Sequence, residues 1–171
     1  MPGKILCYLG FILGLVQPLN GAKPEDLEKL KGRDEQQISL DLSGQDLRPY
    51  DLNGMDLTGA DLQGCNLSGM NLRKVKFIRA NLKGTILTGA KITSCSFRGA
   101  NIEGTIFPGA TILYSGFVEA KAKGTIFTSA TIESTTFERA DLRGAIFDQS
   151  SLIAVNFKDA DLKGASFKGC R

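Results

Sequence analysis

The sequence predicts an all-β coil with four short sides and twenty residues per turn. Three observations carry that expectation. From Leu40 onward large apolar residues recur every five residues without an insertion, at every position ending in 2 or 7 from Leu42 to Phe167. These centres number 26, of which 12 are Leu, 9 Phe, 4 Ile and one Ala122. Second, GTIL at 84–87, GTIF at 104–107, GTIF at 124–127 and GAIF at 144–147 recur every twenty residues. Third, the centres obey the same longer period: 77, 97, 117, 137 and 157 are all Phe, as are 107, 127, 147 and 167, while aliphatics dominate the centres between them. Neither a 3.6-residue nor a 2-residue period accommodates a strict apolar period of five. A repeat this regular governs the whole reading.

Within one repeat, the residue two before the centre is mostly small, and two positions apart in extended backbone the side chains point the same way. That position holds 11 Ala and 4 Thr, with Cys65 and Cys95 among the rest. Two residues after the centre lies Gly in 14 of 26 repeats, suited to a turn needing positive φ. One pentapeptide is therefore one side of a coil. The pattern Ala60-Asp61-Leu62-Gln63-Gly64, and again Ala140-Asp141-Leu142-Arg143-Gly144, resembles the pentapeptide-repeat proteins over about residues 40–170. The resemblance implies a right-handed quadrilateral β-helix with the centres and small residues pointing inward. Twenty-six repeats at four per coil make about 6.5 coils, a rod about 31 Å long at about 4.8 Å per coil.

The segments ahead of the repeats differ. Residues 1–22 carry one charge, Lys4, and an unbroken apolar run from Ile5 to Val16, too short to span a bilayer as a helix. A basic start, a short apolar segment, Pro18 and a small residue at Ala22 match a secretory signal peptide cleaved after Ala22. An uncleaved tethering helix and an ordinary core helix are the alternatives. Residues 23–39 form a lead-in whose first part, 23–33, reads as a short capping helix. Pro24, Glu25 and Asp26 suit its amino end, Lys29 and Lys31 its carboxyl end, and Gly32 its stop. Such a helix would cover the apolar amino end of the coil, while the carboxyl end shows no evident cap and invites pairing with another chain.

Composition removes whole classes of chemistry. With no histidine, Ser-His-Asp and Cys-His catalysis and histidine-liganded zinc are excluded. No C-x-x-C pair, acid–base carboxylate pair or phosphate loop appears, so no catalytic, cofactor-binding or metal-binding residue is assigned and no enzyme activity is expected. Cys65 and Cys95 read as inert structural thiols, while Cys170 could link two chains in an oxidising space. The repeats hold 16 basic and 13 acidic residues, too balanced to imply nucleic acid. Asp41, Asp46, Asp51 and Asp56 put an acid on each side of the first coil, Asp61 starts the next, and cations prevail from Arg73 to Arg98.

One outward departure stands out. The position before each centre is usually polar, yet Ile86, Ile106, Ile126 and Ile146 occupy it twenty residues apart, an aligned apolar row with Pro108 beside it. Strand propensity and self-stacking explain such a row, and so does an interaction surface. The function expected is a non-catalytic exported scaffold that binds another protein. It has no nucleic-acid partner and no stable membrane span after signal removal, and a homodimer through the isoleucine row or the C-terminal coil fits it. Periplasm and thylakoid lumen are the compartments that the signal and the resemblance imply. Some family members mimic DNA and bind topoisomerase, but the charge balance and the export signal stand against that alternative here.

Overall fold

The computed structural model describes residues 40–171. The segments expected as signal peptide (1–22) and as capping helix and lead-in (23–39) lie outside the described residues. The described chain is all-β. It winds as stacked coils in which every backbone bridge joins residues twenty apart and in parallel.

One side of the coil is a five-stranded parallel sheet in chain order. Its strands are β1 (Asn71–Arg73), β2 (Lys91–Thr93), β3 (Thr111–Leu113), β4 (Thr131–Glu133) and β5 (Ser151–Ile153). The register is Leu72↔Ile92↔Ile112↔Ile132↔Leu152. The other three sides are columns of single bridges, among them Asp41–Asp61–Asn81–Asn101–Lys121–Asp141–Asp161. Below, the first, second, third and fourth sides are those centred on Leu42, Leu47, Leu52 and Leu57 and on their equivalents every twenty residues. The sheet is the third side.

The corners follow from the residue two after each centre. All 14 glycines there adopt φ between 61° and 74°, and 11 other residues take φ between 47° and 60°. Left-handed backbone costs a non-glycine residue about 1–2 kcal/mol, so the coil register overrides local preference at those 11 corners. Pro49 is the exception, because its ring fixes φ near −65°. At many corners a backbone bond closes the turn, as where the Ala60 amide donates to the Leu57 carbonyl (3.1 Å) or that of Thr105 to Ile102 (3.1 Å).

The centres fill the interior. From Leu42 to Phe147 each is at most 2% exposed, Ala122 included. Phenylalanines on the fourth side stack as 77–97–117–137–157, with ring centroids 4.5–5.4 Å apart, and those on the second side as 107–127–147–167, 4.7–4.9 Å apart. The two ladders come from opposite sides and meet edge-to-face across the core, for example Phe127 and Phe137 at 5.6 Å and 79°. Such aromatic pairs add about 0.5–1.5 kcal/mol each beyond the area they bury. In the last coil Leu152, Phe157, Leu162 and Phe167 are only half-buried.

The small inward position has its own chemistry. The hydroxyls of Thr85, Thr105 and Thr125 donate to the carbonyls of Leu62, Leu82 and Ile102, each at 2.7 Å. Cys65 uses its thiol in the same way toward the Leu42 carbonyl (2.9 Å), Ser150 its hydroxyl toward Phe127 (2.6 Å) and Cys170 its thiol toward Phe147 (3.0 Å). In every case the acceptor lies 23 residues earlier, one coil below and across a corner. Burial pushes the Cys65 thiol up to about 11 and raises that of Cys95, as expected for thiols that donate and do not react.

Candidate functional site, an isoleucine ladder on an uncharged flank

The residue before each centre points outward and usually has a local task. As Asp or Asn, it accepts the amide two residues on: Asp41 from Ser43 (2.9 Å), Asp61 from Gln63 (3.0 Å), Asn101 from Glu103 (3.1 Å) and Asp161 from Lys163 (3.0 Å). This bond satisfies an outward-facing amide and pins the corner that follows. The acids of the first coil are thereby explained locally. Asp46 also receives the guanidinium of Arg48 on both oxygens, at 2.8 and 2.6 Å, which holds its carboxyl down at about 2. The cations of 73–98 are partly matched, since Lys76 meets Asp56 (3.0 Å), Lys83 meets Glu103 (3.8 Å) and Arg98 meets Glu119 (3.8 Å).

On the second side isoleucine takes the place of Asp or Asn. Ile86, Ile106, Ile126 and Ile146 are joined in one column of parallel bridges, flanked by Asn66, itself bridged to Asp46, and by Ser166. Ile86 is 38% exposed and the other three are half-buried. An aliphatic side chain cannot accept the amide two residues on, so this column gives up that bond at Thr88, Thr128 and Asp148. In the remaining coil the residue is Pro108, which has no amide to satisfy. Beside the ladder runs a second outward column, Thr88, Pro108, Thr128 and Asp148.

Sorting the outward residues by side shows an organisation that linear reading missed. Between residues 81 and 160 the chain has 15 charged residues. The first and fourth sides, with the corners that end them, carry 12 of these, and the second and third sides carry only Lys91, Glu133 and Asp148. These two sparsely charged sides adjoin at a corner formed by Gly89, Gly109, Ser129 and Gln149. The third side adds Ile153, 51% exposed, and ends at Tyr114, 59% exposed. The signal lay in the sequence, in the twenty-residue period applied to charges and not only to centres.

Among the described residues no group of three or more His, Cys, Asp or Glu side chains could hold a metal ion, and no helix is long and apolar enough to cross a membrane. Cys65, Cys95 and Cys170 are free thiols.

Comparison with known proteins returns matches to two family models. "Pentapeptide repeats", in 8 copies, match residues 41–73 and 51–89, and "Pentapeptide repeat region" matches residues 90–167. No curated protein matches the chain. Among solved structures, a pentapeptide repeat protein from the Arabidopsis thaliana thylakoid lumen is 21% identical, with 59% of this chain and 67% of that one covered, at a TM-score of 0.43. A trypsin-treated form of QnrB1, a plasmid-mediated fluoroquinolone resistance protein, is 17% identical, with 78% and 89% covered, at 0.40. HetL, a protein involved in heterocyst differentiation regulation in the cyanobacterium Nostoc sp. strain PCC 7120, is 19% identical, with 84% and 76% covered, at 0.31. At these scores the likenesses carry no weight for partner or role.

Proposed function

Because the chain belongs to the pentapeptide-repeat family, whose fold serves generally as a structural and interaction framework, we propose that it is a non-catalytic exported scaffold whose isoleucine ladder engages another protein. The observation that carries the reading is the ladder itself. Four coils in succession set a β-branched apolar side chain where the first side sets amide-accepting Asn81, Asn101 and Asp141, on a flank almost free of charge. Stacking alone would be served equally well by threonine, which also has high strand propensity and keeps the surface wet. An aligned apolar row on a rigid face suits a partner that excludes water from it.

Export to periplasm or thylakoid lumen rests on the composition of residues 1–22. The last coil, with Leu152, Phe157, Leu162 and Phe167 half-buried, is a second proposed contact through which two chains would pair end to end. The excess of bases over acids in the repeats stands against mimicry of DNA.

One experiment tests the partner and the address together. The tagged full-length protein is produced in its native cell beside an Ile106→Lys/Ile126→Lys variant, and both are recovered from the exported fraction. The expected result is a mature chain beginning at Lys23, a partner held by the parent, and at least tenfold less of that partner on the variant. A chain found only in the cytoplasm with its first 22 residues intact would remove export. Equal capture by parent and variant would remove the ladder as the contact.

A further inference from the structure

We propose that the isoleucine ladder also pairs two copies of this chain side by side and antiparallel, Ile86 facing Ile146 and Ile106 facing Ile126. The inference rests on the ladder as a contact surface and names a second copy as an occupant.

Period is the first argument. The ladder repeats at about 4.8 Å, the spacing of stacked β-coils. A surface can seat against every rung at once only if it carries the same spacing, and a second copy of this chain does. The ladder ends at Asn66 and Ser166, where the column turns polar. Only the centred overlap therefore covers all four isoleucines of both copies.

Charge on the rims selects the direction. The antiparallel arrangement keeps each rim against its own counterpart, inverted in height. Glu103 then lies opposite Lys123, and Asp148 opposite Lys91, each pair occurring twice by symmetry. Lys83 comes opposite Arg143, but each already has an acid beside it, Glu103 at 3.8 Å and Asp141 at 2.6 Å. The parallel arrangement sets Lys83 against Lys91 and matches only Arg143 with Asp148. Rim charges of this kind orient an encounter more than they tighten it.

Area sets the strength. Four rungs at about 4.8 Å, on a side of five residues at about 3.3 Å each, cover roughly 300 Å² per partner. A stable interface needs about 800 Å² per partner, so this pairing is weak and reversible. It leaves the ladder open to a tighter partner, and the two occupants compete.

Sedimentation velocity and disulfide trapping test the proposal on the full chain with Cys7→Ser and Cys170→Ser, which removes thiols other than the buried Cys65 and Cys95. The sedimenting mass is expected to climb from 18.4 kDa toward twice that as concentration approaches about 1 mM, and to stay at one chain in the Ile106→Lys/Ile126→Lys variant with unchanged circular dichroism. In trapping, Ile106→Cys and Ile126→Cys chains are expected to cross-link when mixed and not when alone. A parent that stays at one chain mass overturns the proposal. So do cross-links within either single-cysteine preparation, which mean a parallel pair. Association that survives the lysines also overturns it and transfers pairing to the last coil. Capture of a different protein is read separately, so either reading can fail without the other.

Discussion

Threonine and cysteine share one slot in this coil because the slot asks for a short side chain that can donate. Thr85, Thr105 and Thr125 and the thiol of Cys65 each reach the backbone carbonyl of a first-side centre one coil below. That carbonyl already accepts a turn amide, as Leu82 does from Thr85 (3.0 Å), and the hydroxyl fills its second lone pair. Thr105→Val keeps the shape and removes only the donor, leaving Leu82 its turn bond. A loss of about 1 kcal/mol is expected, read as a lower urea midpoint with an unchanged slope. No change at all would mean that the column does not hold adjacent coils together. The sequence showed that the position is mostly small and faces inward, and Cys65 and Cys95 read there as structural thiols. It did not show the acceptor, because the partner lies 23 residues away and is a backbone atom with no sequence signature of its own.

At the scale of elements the two phenylalanine ladders are the spine. Phe117 stacks on Phe97 at 4.5 Å and on Phe137 at 4.7 Å, and meets Phe107 and Phe127 edge-on at 6.3 Å. Phe117→Ala removes all four ring pairings from a site with no exposure and should cost about 3–5 kcal/mol. Phe167→Ala, in the half-buried last coil, should cost distinctly less, and equilibrium unfolding of the two variants side by side checks the order. Both ladders were legible from the twenty-residue period, which set Phe on two opposite sides. Less legible were the corners, since glycine marks only 14 of 26 and residues such as Lys74, Tyr114 and Asp159 take the same left-handed turn. Their own propensities oppose that conformation, and only the closed circuit of bridges above and below imposes it. The ladder of isoleucines was visible for the same reason as the phenylalanines. The uncharged flank around it was not, because charges scattered along the chain separate only when folded into four files.

As a whole molecule, the chain is a stack in which each coil touches only its neighbours, so protection should follow position along the axis. Hydrogen exchange is expected to be slowest for amides of the inner coils, near Phe97 to Phe137. It should be at least tenfold faster in residues 154–170, where every centre is half-open. Uniform protection to the last coil would mean that another surface covers it. The unbroken register also fixes how such a chain can change length. Adding or deleting twenty residues moves everything beyond by about 4.8 Å and leaves its bearing unchanged, whereas a change of five swings it through a quarter-turn. A single pentapeptide gained between Ile106 and Ile126 would carry the distal isoleucines onto a neighbouring side and cut the ladder in two, and it would set the distal phenylalanines over aliphatic columns, breaking both ring ladders at the same point. Interior rings and surface isoleucines obey the same period, so such a chain keeps its columns only when it is spelt in words of four repeats.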